Sequence, residues 1–221
     1  RSTLFPYTTL FRSWLTRGDD LLVDCGISGK KIFSGLGHTG LTPEDLNGIL
    51  ITHEHSDHVK SLRVVTRKSK TAMTYSSIGT WEHIRDLVPT ERQMTFESGA
   101  AFVIGDIQVS SFALSHDASD PVGYSFEAAE EASIVTDTGY ITEEIFEQIR
   151  DADLIALEAN HDPQVLQMCR YPYPVKRRIL GDHGHLSNEA AGEYICRLME
   201  ADRKPSTKIE ERRVGKECRS R

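Results

Sequence analysis

The chain has 221 residues, with 33 Asp and Glu against 26 Lys and Arg and a formal net charge of −7. This length is sufficient for one domain with a sizeable core, while the acidic balance excludes a protein that coats nucleic acid by charge alone. No apolar run approaches the roughly 18 residues of a membrane-spanning helix, so we predict no membrane partner.

Both ends of the chain resemble translated sequencing-adapter read-through. Residues 1–13 and 210–221 have no clear place in a fold, and such segments are excluded from fold reasoning. We therefore expect one domain over residues 14–209. The alternative is that the ends are ordinary disordered tails.

The first half of the domain alternates short apolar runs with segments of helical character. Runs of apolar and β-branched residues predict strands at 21–24, 48–52 and 71–75. Helical spacing predicts helices that begin within 26–37 and that span 59–70 and 79–88. The last of these should turn Trp81 and Ile84 inward. Thr42 followed by Pro43 has a helix-start signature.

The second half begins with a hairpin, in which Gly105 and Asp106 form the turn between strands at 101–104 and 107–114. More strands are predicted at 122–126, 132–136 and 153–157, and helices at 141–149, 161–180 and 188–201. Pro172 and Pro174 are expected to interrupt the second of these helices. Strands in two blocks with helices between them favour an α/β fold, with two sheets packed face to face and covered outside by helices.

A cluster of metal-binding side chains follows the strand predicted at 48–52. His53, His55, Asp57 and His58 fall within six residues, on the loop that leaves the strand. At alternate spacing the first two can face the same side and bind one ion, and the turn into the next helix can aim the other two at a second ion. Imidazole and carboxylate ligands suit Zn²⁺, Mn²⁺ or Fe²⁺. This order and spacing disfavour the alternative, a polar loop that is rich in histidine by chance.

The order H-x-H-x-D-H after a buried strand resembles the metallo-β-lactamase superfamily. That family also has an Asp closing an early strand, a His after a later strand and a bridging Asp after another, and this chain has Asp24, His116 and Asp137 in those places. The resemblance implies the metallo-β-lactamase αββα sandwich as the fold. The family's final His ligand has no counterpart, because no histidine follows His185. We therefore expect a fragment, truncated at both ends, that lacks an opening hairpin and the last strand with its ligand.

The resemblance implies two divalent transition-metal ions, with Zn²⁺ or Mn²⁺ favoured over Fe²⁺. One ion is expected on His53, His55 and His116, and the other on Asp57 and His58, with Asp137 bridging the pair. Two ions about 3.5–4 Å apart can share a hydroxide nucleophile and stabilise the charge that develops on a phosphorane. Asp57 is therefore expected to be both a ligand and a catalytic residue.

The sequence beyond the metal loop resembles the phosphodiesterase branch of the superfamily, of which ribonuclease Z is an example. Flavodiiron-type oxidoreductases have Glu where this chain has His55, which favours hydrolysis. Glyoxalase-type thioesterases place the third-motif His in a Pro-Gly-His turn. Here a Ser precedes His116, and a Pro-x-Gly-Tyr sequence ends at Tyr124, as in the phosphodiesterase branch.

A second catalytic residue is implied by the Gly-His-Leu-Ser stretch that contains His185. A similar Gly-His-Ser-Thr stretch carries a catalytic His in ribonuclease Z. His185 is therefore predicted to protonate the leaving oxygen or to hold a phosphate; the alternative is a polar residue at a helix start. The run from Leu22 to about Ala190 most closely resembles a bacterial member of this branch that is described as an exonuclease acting on DNA.

Other polar residues are expected to support the ligands or the substrate. Asp24, Glu158 and His161 are predicted to orient ligands rather than to bind metal. The cationic run of Lys176, Arg177 and Arg178 could contact a phosphate, although a solvated helix face is the more usual role of such a run.

The predicted function is a dinuclear metallohydrolase that cleaves phosphodiesters in nucleic acid, exonuclease-like and with DNA favoured. The alternative is a small-molecule hydrolase on the same fold, such as a thioesterase, a lactonase or a cyclic phosphodiesterase. A non-catalytic regulatory module is disfavoured because the ligand set is too complete. We expect a cytoplasmic location, because the cysteines are scattered and no secretory signal is visible. The sequence gives no indication of oligomeric state.

Overall fold

The computed structural model describes residues 19–128 and 130–200, together with the backbone of three further strand segments at 3–4, 12–15 and 208–211. The strands form two six-stranded sheets, and eight α-helices occur within the described residues. The predicted α/β class, with two sheets and helices, is therefore confirmed.

The strands of the first sheet are adjacent in chain order: β1 (Thr3–Leu4), β2 (Arg12–Leu15), β3 (Asp20–Val23), β4 (Leu46–Leu50), β5 (Met73–Ser77) and β6 (Gln93–Phe96). β1, β2 and β3 pair antiparallel. The strands from β3 to β6 pair parallel, so their carboxyl ends meet at one edge of the sheet. Asp24 follows β3 and the metal loop follows β4, and both therefore leave the sheet at this edge.

Four helices follow strands of the first sheet: α1 (Gly29–His38), α2 (Ser56–Val59), α3 (Leu62–Lys68) and α4 (Ile78–Ile84). Their apolar residues share one buried cluster with the strands, which includes Leu22, Ile32, Ile49, Leu62 and Trp81. Each fully buried side chain of this kind contributes about 1.5–3 kcal/mol. Trp81 also donates from Nε1 to the carbonyl oxygen of Met94 at 3.0 Å, which ties α4 to β6. The burial of Trp81 and Ile84 confirms their predicted inward orientation.

The strands of the second sheet are also adjacent in chain order: β7 (Ala101–Ile104), β8 (Ile107–Ala113), β9 (Val122–Glu127), β10 (Glu131–Val135), β11 (Leu154–Ala159) and β12 (Lys208–Glu211). β7 and β8 form the predicted hairpin, with Ile104 opposite Ile107. Gly105 in its turn has φ 57°, in the left-handed region that glycine enters without steric cost. β10, β11 and β12 pair parallel, so the segments after β10 and β11 leave from the same edge.

The later helices are α5 (Glu143–Ile149), α6 (Pro163–Met168), α7 (Tyr173–Leu180) and α8 (Asn188–Glu200). Thr142 caps α5 by accepting from the backbone N–H of Ile145, and Asp162 caps α6 in the same way. No helix in the described part of the chain is long and apolar enough to cross a membrane.

The chain divides into two compact units. The first comprises Arg1–Ala113, Ala118–Val122 and Phe126–Ala129, and the second comprises Leu114–Asp117, Gly123–Ser125 and Glu130–Arg221. Each has buried apolar residues of its own, which in the second unit include Ile134, Ile145, Ile155, Leu166 and Leu198. The predicted ligands are divided between the units, with the metal loop in the first and His116, Asp137 and His185 in the second.

The predicted helix over 59–70 is instead two helices, α2 and α3, that break at Ser61. The backbone N–H of Ser61 donates to the carbonyl oxygen of Cys25 at 2.8 Å, and its hydroxyl donates to that of Ile27 at 2.6 Å. These bonds take Ser61 out of the helical hydrogen-bond pattern. The break therefore fastens the metal loop to the segment after β3.

The prediction that Pro174 interrupts a helix is wrong. The segment 161–180 contains α6 and α7, and the helix is interrupted between Met168 and Tyr173, with Pro172 as the N-cap of α7. Pro174 lies in the first turn of α7, where the missing N–H has no intrahelical partner to lose.

Four strands were not predicted. β6 gave little signal because only Phe96 of its residues is buried. β1, half of β2 and half of β12 fall in the ends that were expected to lie outside the fold. A closing strand was expected to be missing, whereas β12 pairs parallel with β11. The rest of 1–13 and 210–221 lies outside the described residues.

Candidate metal centre

Asp24 organises the metal loop of the first unit. It lies just past the end of β3 with φ 59°, a backbone conformation that Asp tolerates better than most residues. Its Oδ1 accepts from the backbone N–H of Thr52 at 2.9 Å, and its Oδ2 accepts from the Thr52 hydroxyl at 2.9 Å. Oδ2 also accepts from Nδ1 of His58 at 2.8 Å. One buried carboxylate thus fixes both ends of the H-x-H-x-D-H loop.

These contacts set the ring orientations of two predicted ligands. The carboxylate of Asp24 only accepts, so Nδ1 of His58 is protonated and Nε2 is the nitrogen that a metal ion would bind. Thr52 gives its single hydroxyl proton to Asp24, so Nδ1 of His53, at 3.0 Å from the Thr52 oxygen, donates to it. Nε2 of His53 is then also left with a lone pair, and it lies 3.0 Å from Nδ1 of His55. An imidazole whose ring is held in one orientation through Nδ1 can bind a cation through Nε2.

Gly26 allows the loop to approach β3. A Cβ atom at this position would lie 1.5 Å from the carbonyl oxygen of Asp57 and 2.4 Å from its carbonyl carbon. Close by, the backbone N–H of Cys25 donates to the carbonyl oxygen of His58 at 2.6 Å. The thiol of Cys25 is fully buried, and burial together with Asp24 raises its pKa. Cys25 therefore has the structural role of a small buried residue, while the Asp57 side chain stays half-buried.

The second unit brings together His116, Asp137 and His185, whose potential ligand atoms lie within 4.8 Å of one another. Nδ1 of His116 donates to the carbonyl oxygen of Gly184 at 2.9 Å, so Nε2 is the nitrogen that a metal ion would bind. Burial lowers the pKa of His116 despite the opposing effect of Asp137, so the ring is neutral at pH 7. Asp137 follows β10 with φ 58°. Both Asp24 and Asp137 thus adopt a sparsely populated conformation, which is common at functional sites.

His185 forms a buried hydrogen-bonded group with two carboxylates. Its Nδ1 lies 2.9 Å from Oε1 of Glu158 and 3.3 Å from Oδ1 of Asp137. Burial lowers the pKa of His185, but the hydrogen bonds and charges of Asp137 and Glu158 outweigh it and raise the pKa to about 9. Glu158 is itself held by the amide of Asn160 and by the backbone N–H of Leu186. The imidazole is therefore protonated at neutral pH and keeps a fixed orientation.

His161 is buried at 2% exposure, and neither ring nitrogen has a hydrogen-bond partner within the described residues. Burial and the neighbouring charge of His185 lower its pKa to about 4, so it is neutral at pH 7. Its backbone carbonyl oxygen accepts from Asn188, the first residue of α8. The structure brings His161 near the His185 group but shows no bond from its ring to any predicted ligand.

The cationic run divides into residues with different partners. Arg178 makes a two-pronged ion pair with Asp117, in which Nη2 lies 3.0 Å from Oδ1 and Nε contacts Oδ2. Lys176 donates to the carbonyl oxygen of Gln167 at 2.6 Å. Arg177 is exposed and lines two open clefts.

Several functional contacts were missed by sequence reasoning. Thr52 stands next to His53, but its role depends on Asp24, which is 28 residues away. Asp117 stands next to His116, and its partner Arg178 is 61 residues away. In both cases the sequence showed only that the residue is next to a predicted ligand. It did not show which distant residue would be the hydrogen-bond partner.

The donor set of each unit fits a divalent transition metal. Imidazole nitrogens of His53, His58 and His116 and the carboxylate of Asp137 are ligands of the kind that such ions prefer. These are nearly all buried side chains. Candidate ligands for a divalent metal are therefore present in both units.

This fold and ligand pattern define a metallo-β-lactamase-fold protein. Residues 20–205 match the family described as the beta-lactamase superfamily domain, and the chain belongs to that family.

Two curated relatives are more specific. The chain is 42% identical over 175 residues to the Bacillus anthracis protein named exodeoxyribonuclease YycJ, covering 77% of this chain and 66% of that protein. It is 40% identical over 185 residues to exodeoxyribonuclease WalJ of Streptococcus pneumoniae serotype 2, covering 81% and 68%. The chain thus spans about two thirds of the length of each relative. The predicted resemblance to this bacterial branch is confirmed.

A solved structure supports the fold. Zn²⁺-bound PqqB from Methylobacterium extorquens has a TM-score of 0.67 and 16% identity, over 95% of this chain and 76% of that one. At this identity the likeness establishes the fold alone, and it confirms the predicted metallo-β-lactamase architecture.

Proposed function

We propose that this chain is a metal-dependent phosphodiesterase that removes nucleotides from DNA. The observation that carries the proposal is the buried His185 group, in which Nδ1 lies 2.9 Å from Glu158 and 3.3 Å from Asp137, beside the predicted ligand His116. A proton donor of this kind suits an alkoxide leaving group, as in a nucleic-acid backbone. The names of the two relatives support DNA as the substrate.

The proposal assigns two divalent ions to the ligands in the order that the family implies. His53, His55 and His116 would hold one ion, Asp57 and His58 would hold the other, and Asp137 would supply its carboxylate to both. Zn²⁺ and Mn²⁺ suit these donors best. Bound there, such ions would supply Lewis-acid polarisation of the phosphate and activation of a water molecule.

The side chains around the ligands supply orientation and protons. Asp24 holds Nδ1 of His58 protonated and Thr52 in place, so that the rings of His53 and His58 keep one orientation. Glu158 holds Nδ1 of His185, which leaves Nε2–H as the proton that the ring can give to the leaving oxygen. Lys176, Arg177 and Arg178 are proposed to contact substrate phosphates, and Arg178 does so only by sharing or leaving Asp117.

A cytoplasmic location is part of the proposal. It rests on Cys25, Cys169 and Cys196, which form no disulfide within the described residues.

The test compares substrates with good and poor leaving groups. A nitrophenolate leaves without protonation, whereas a nucleoside alkoxide does not. His185→Ala should therefore reduce cleavage of end-labelled DNA by about 10²–10⁴-fold and spare hydrolysis of bis-p-nitrophenyl phosphate, with metal content unchanged. Equal losses on the two substrates would reject the proton-donor role.

The same assay separates the alternative class of function. Wild-type protein is also offered an acyl thioester, a lactone and a cyclic nucleotide. Hydrolysis of one of these, without cleavage of DNA or of bis-p-nitrophenyl phosphate, would assign the chain to the small-molecule hydrolases.

A further inference from the structure

α7 carries an exposed Tyr–Arg pair that has no role in the fold. Tyr173 is 75% exposed, and Arg177 follows it by one helical turn, so the two side chains lie on the same helix face. The neighbouring cations are engaged within the protein, Lys176 by the carbonyl oxygen of Gln167 and Arg178 by Asp117. No hydrogen bond or ion pair of Arg177 is found within the described residues.

Tyr173 and Arg177 both line two open clefts, one on each side of α7. The first cleft has a volume of about 470 Å³ and is also lined by Leu180 and Gly181. The second has a volume of about 460 Å³, and its opposite wall includes Asp117 and His183. Each volume lies in the range of small-molecule sites, which begins at about 300 Å³.

The second cleft is built on the segments that carry the candidate ligands of this unit. Asp117 follows His116 directly, and His183 precedes His185 by two residues. The backbone N–H of His185 donates to the carbonyl oxygen of Ile179 in α7 at 3.0 Å. A Cβ on Gly184 would lie 2.3 Å from the carbonyl oxygen of Arg178, so the His185 loop packs closely on the end of α7. A ligand in this cleft would therefore touch the loops that position His116 and His185.

The chemistry of the pair matches a nucleotide. An exposed aromatic ring provides a face on which any base can stack, and an unengaged guanidinium nearby binds phosphate. The nearest carboxylate of the cleft wall, Asp117, is already neutralised by Arg178. Asp182 also lines the second cleft, whereas the first cleft is lined by Lys176 and Arg177 and by no carboxylate. The local charge therefore favours an anionic group on the first-cleft side of the Tyr173–Arg177 pair, even though the whole chain is acidic.

We propose that Tyr173 and Arg177 form a nucleotide subsite for single-stranded DNA. The base stacks on Tyr173 and the adjoining phosphate pairs with Arg177, while the strand continues along the second cleft toward His185. This inference rests on the proposed function and specifies where the part of the substrate beyond the scissile bond binds.

The experiment measures binding without turnover. A fluorescein-labelled oligothymidylate is titrated with the chain in EDTA, and anisotropy is read at several salt concentrations. Tyr173→Ala should weaken binding by about fivefold or more, because stacking of one base contributes at least this much. Tyr173→Phe keeps the ring face and should bind within about twofold of wild type.

Arg177→Ala should weaken binding and reduce the slope of log K against log salt by about 0.7, which corresponds to one phosphate contact on a single strand. Arg67→Ala is the matched control, since it removes the same charge from an exposed position of α3, and it should change neither quantity. Wild-type affinity in Tyr173→Ala and Arg177→Ala would overturn the subsite. An equal loss in Arg67→Ala would also overturn it, because binding would then depend on charge alone.

Hydrolysis of bis-p-nitrophenyl phosphate by the metal-loaded chain separates this inference from the proposed function. The small diester does not extend to the subsite, so its hydrolysis by wild-type protein tests the catalytic centre apart from the subsite. If wild type hydrolyses it and both variants bind DNA normally, the subsite fails and the proposed function stands. If wild type cleaves no phosphodiester at all, the proposed function fails.

Discussion

Glu158 controls the charge of His185. In the chain without metal the pKa of His185 is raised from 6.5 to about 9. Burial lowers the pKa, but the opposite effect of Asp137 and Glu158 is larger. A raised folded-state pKa contributes stability that is fully present below about pH 6.5 and is lost as the pH rises through about 9. The charge on His185 is thus a property of two carboxylates, one of which is also a predicted ligand.

Glu158→Gln removes one of these carboxylates, and we expect the pKa of His185 to fall by about one unit or more. NMR titration of the His185 ring protons in the metal-free chain measures this change. Glu147→Gln is the control, because Glu147 pairs with Arg150 on α5 and leaves His185 untouched. An unchanged His185 midpoint in Glu158→Gln would contradict the assignment.

His161 is buried, and neither of its ring nitrogens has a hydrogen-bond partner within the described residues. An unsatisfied buried polar group costs about 1–3 kcal/mol. His161→Leu should therefore leave the free energy of unfolding in urea unchanged or raise it by up to about this amount. A loss of several kcal/mol, or a loss of bound metal by elemental analysis, would show instead that the ring has a partner in the working protein.

At the scale of elements, the site depends on the close approach of the metal loop to the segment after β3. Gly26→Ala places a methyl group against the backbone carbonyl of Asp57, which cannot rotate away as a side chain could. We expect a loss of at least about 2 kcal/mol in urea unfolding, together with weaker metal binding.

Gly192→Ala is the matched control for this substitution. Gly192 lies within α8, and a Cβ there meets no atom within 4 Å. Alanine in a helix interior should stabilise the protein by about 0.5–1 kcal/mol. Equal stability of Gly26→Ala and wild type would mean that the loop is not held against β3.

Elements that depend on local sequence could be predicted, and those that depend on distant partners could not. The hairpin at Gly105 and the inward face of α4 follow from turn chemistry and periodicity. The break at Ser61 could not be predicted, because it results from hydrogen bonds to Cys25 and Ile27, more than thirty residues earlier. β6 was missed because its exposed residues hide the strand pattern.

The candidate site shows the same division. His53, His55, Asp57 and His58 were identifiable because they are adjacent in sequence and follow an apolar strand. The contacts that orient them, through Asp24 and Thr52, were only partly predictable, since Asp24 was expected to order the loop but Thr52 was overlooked. The different partners of Lys176, Arg177 and Arg178 could not be predicted from the sequence. They depend on which residues the fold places opposite each of these neighbouring cations.

At the scale of the whole molecule, an acidic chain is proposed to act on a polyanion. The net charge of −7 opposes association with DNA at long range. Binding must therefore rely on divalent ions at the ligands and on the few cations of α7 that face the clefts. Metal dependence of cleavage is the central claim, because without the ions the cations of α7 can still bind DNA but the chemistry is not available.

The direct measurement is the rate of nucleotide release from end-labelled DNA as Zn²⁺ or Mn²⁺ is returned to chelator-treated protein. The account predicts no release without metal, release that saturates as metal is added, and no recovery in Asp137→Asn, which lacks the proposed bridging carboxylate. Release of nucleotides at the full rate in excess chelator, or an Asp137→Asn variant as active as wild type, would contradict it.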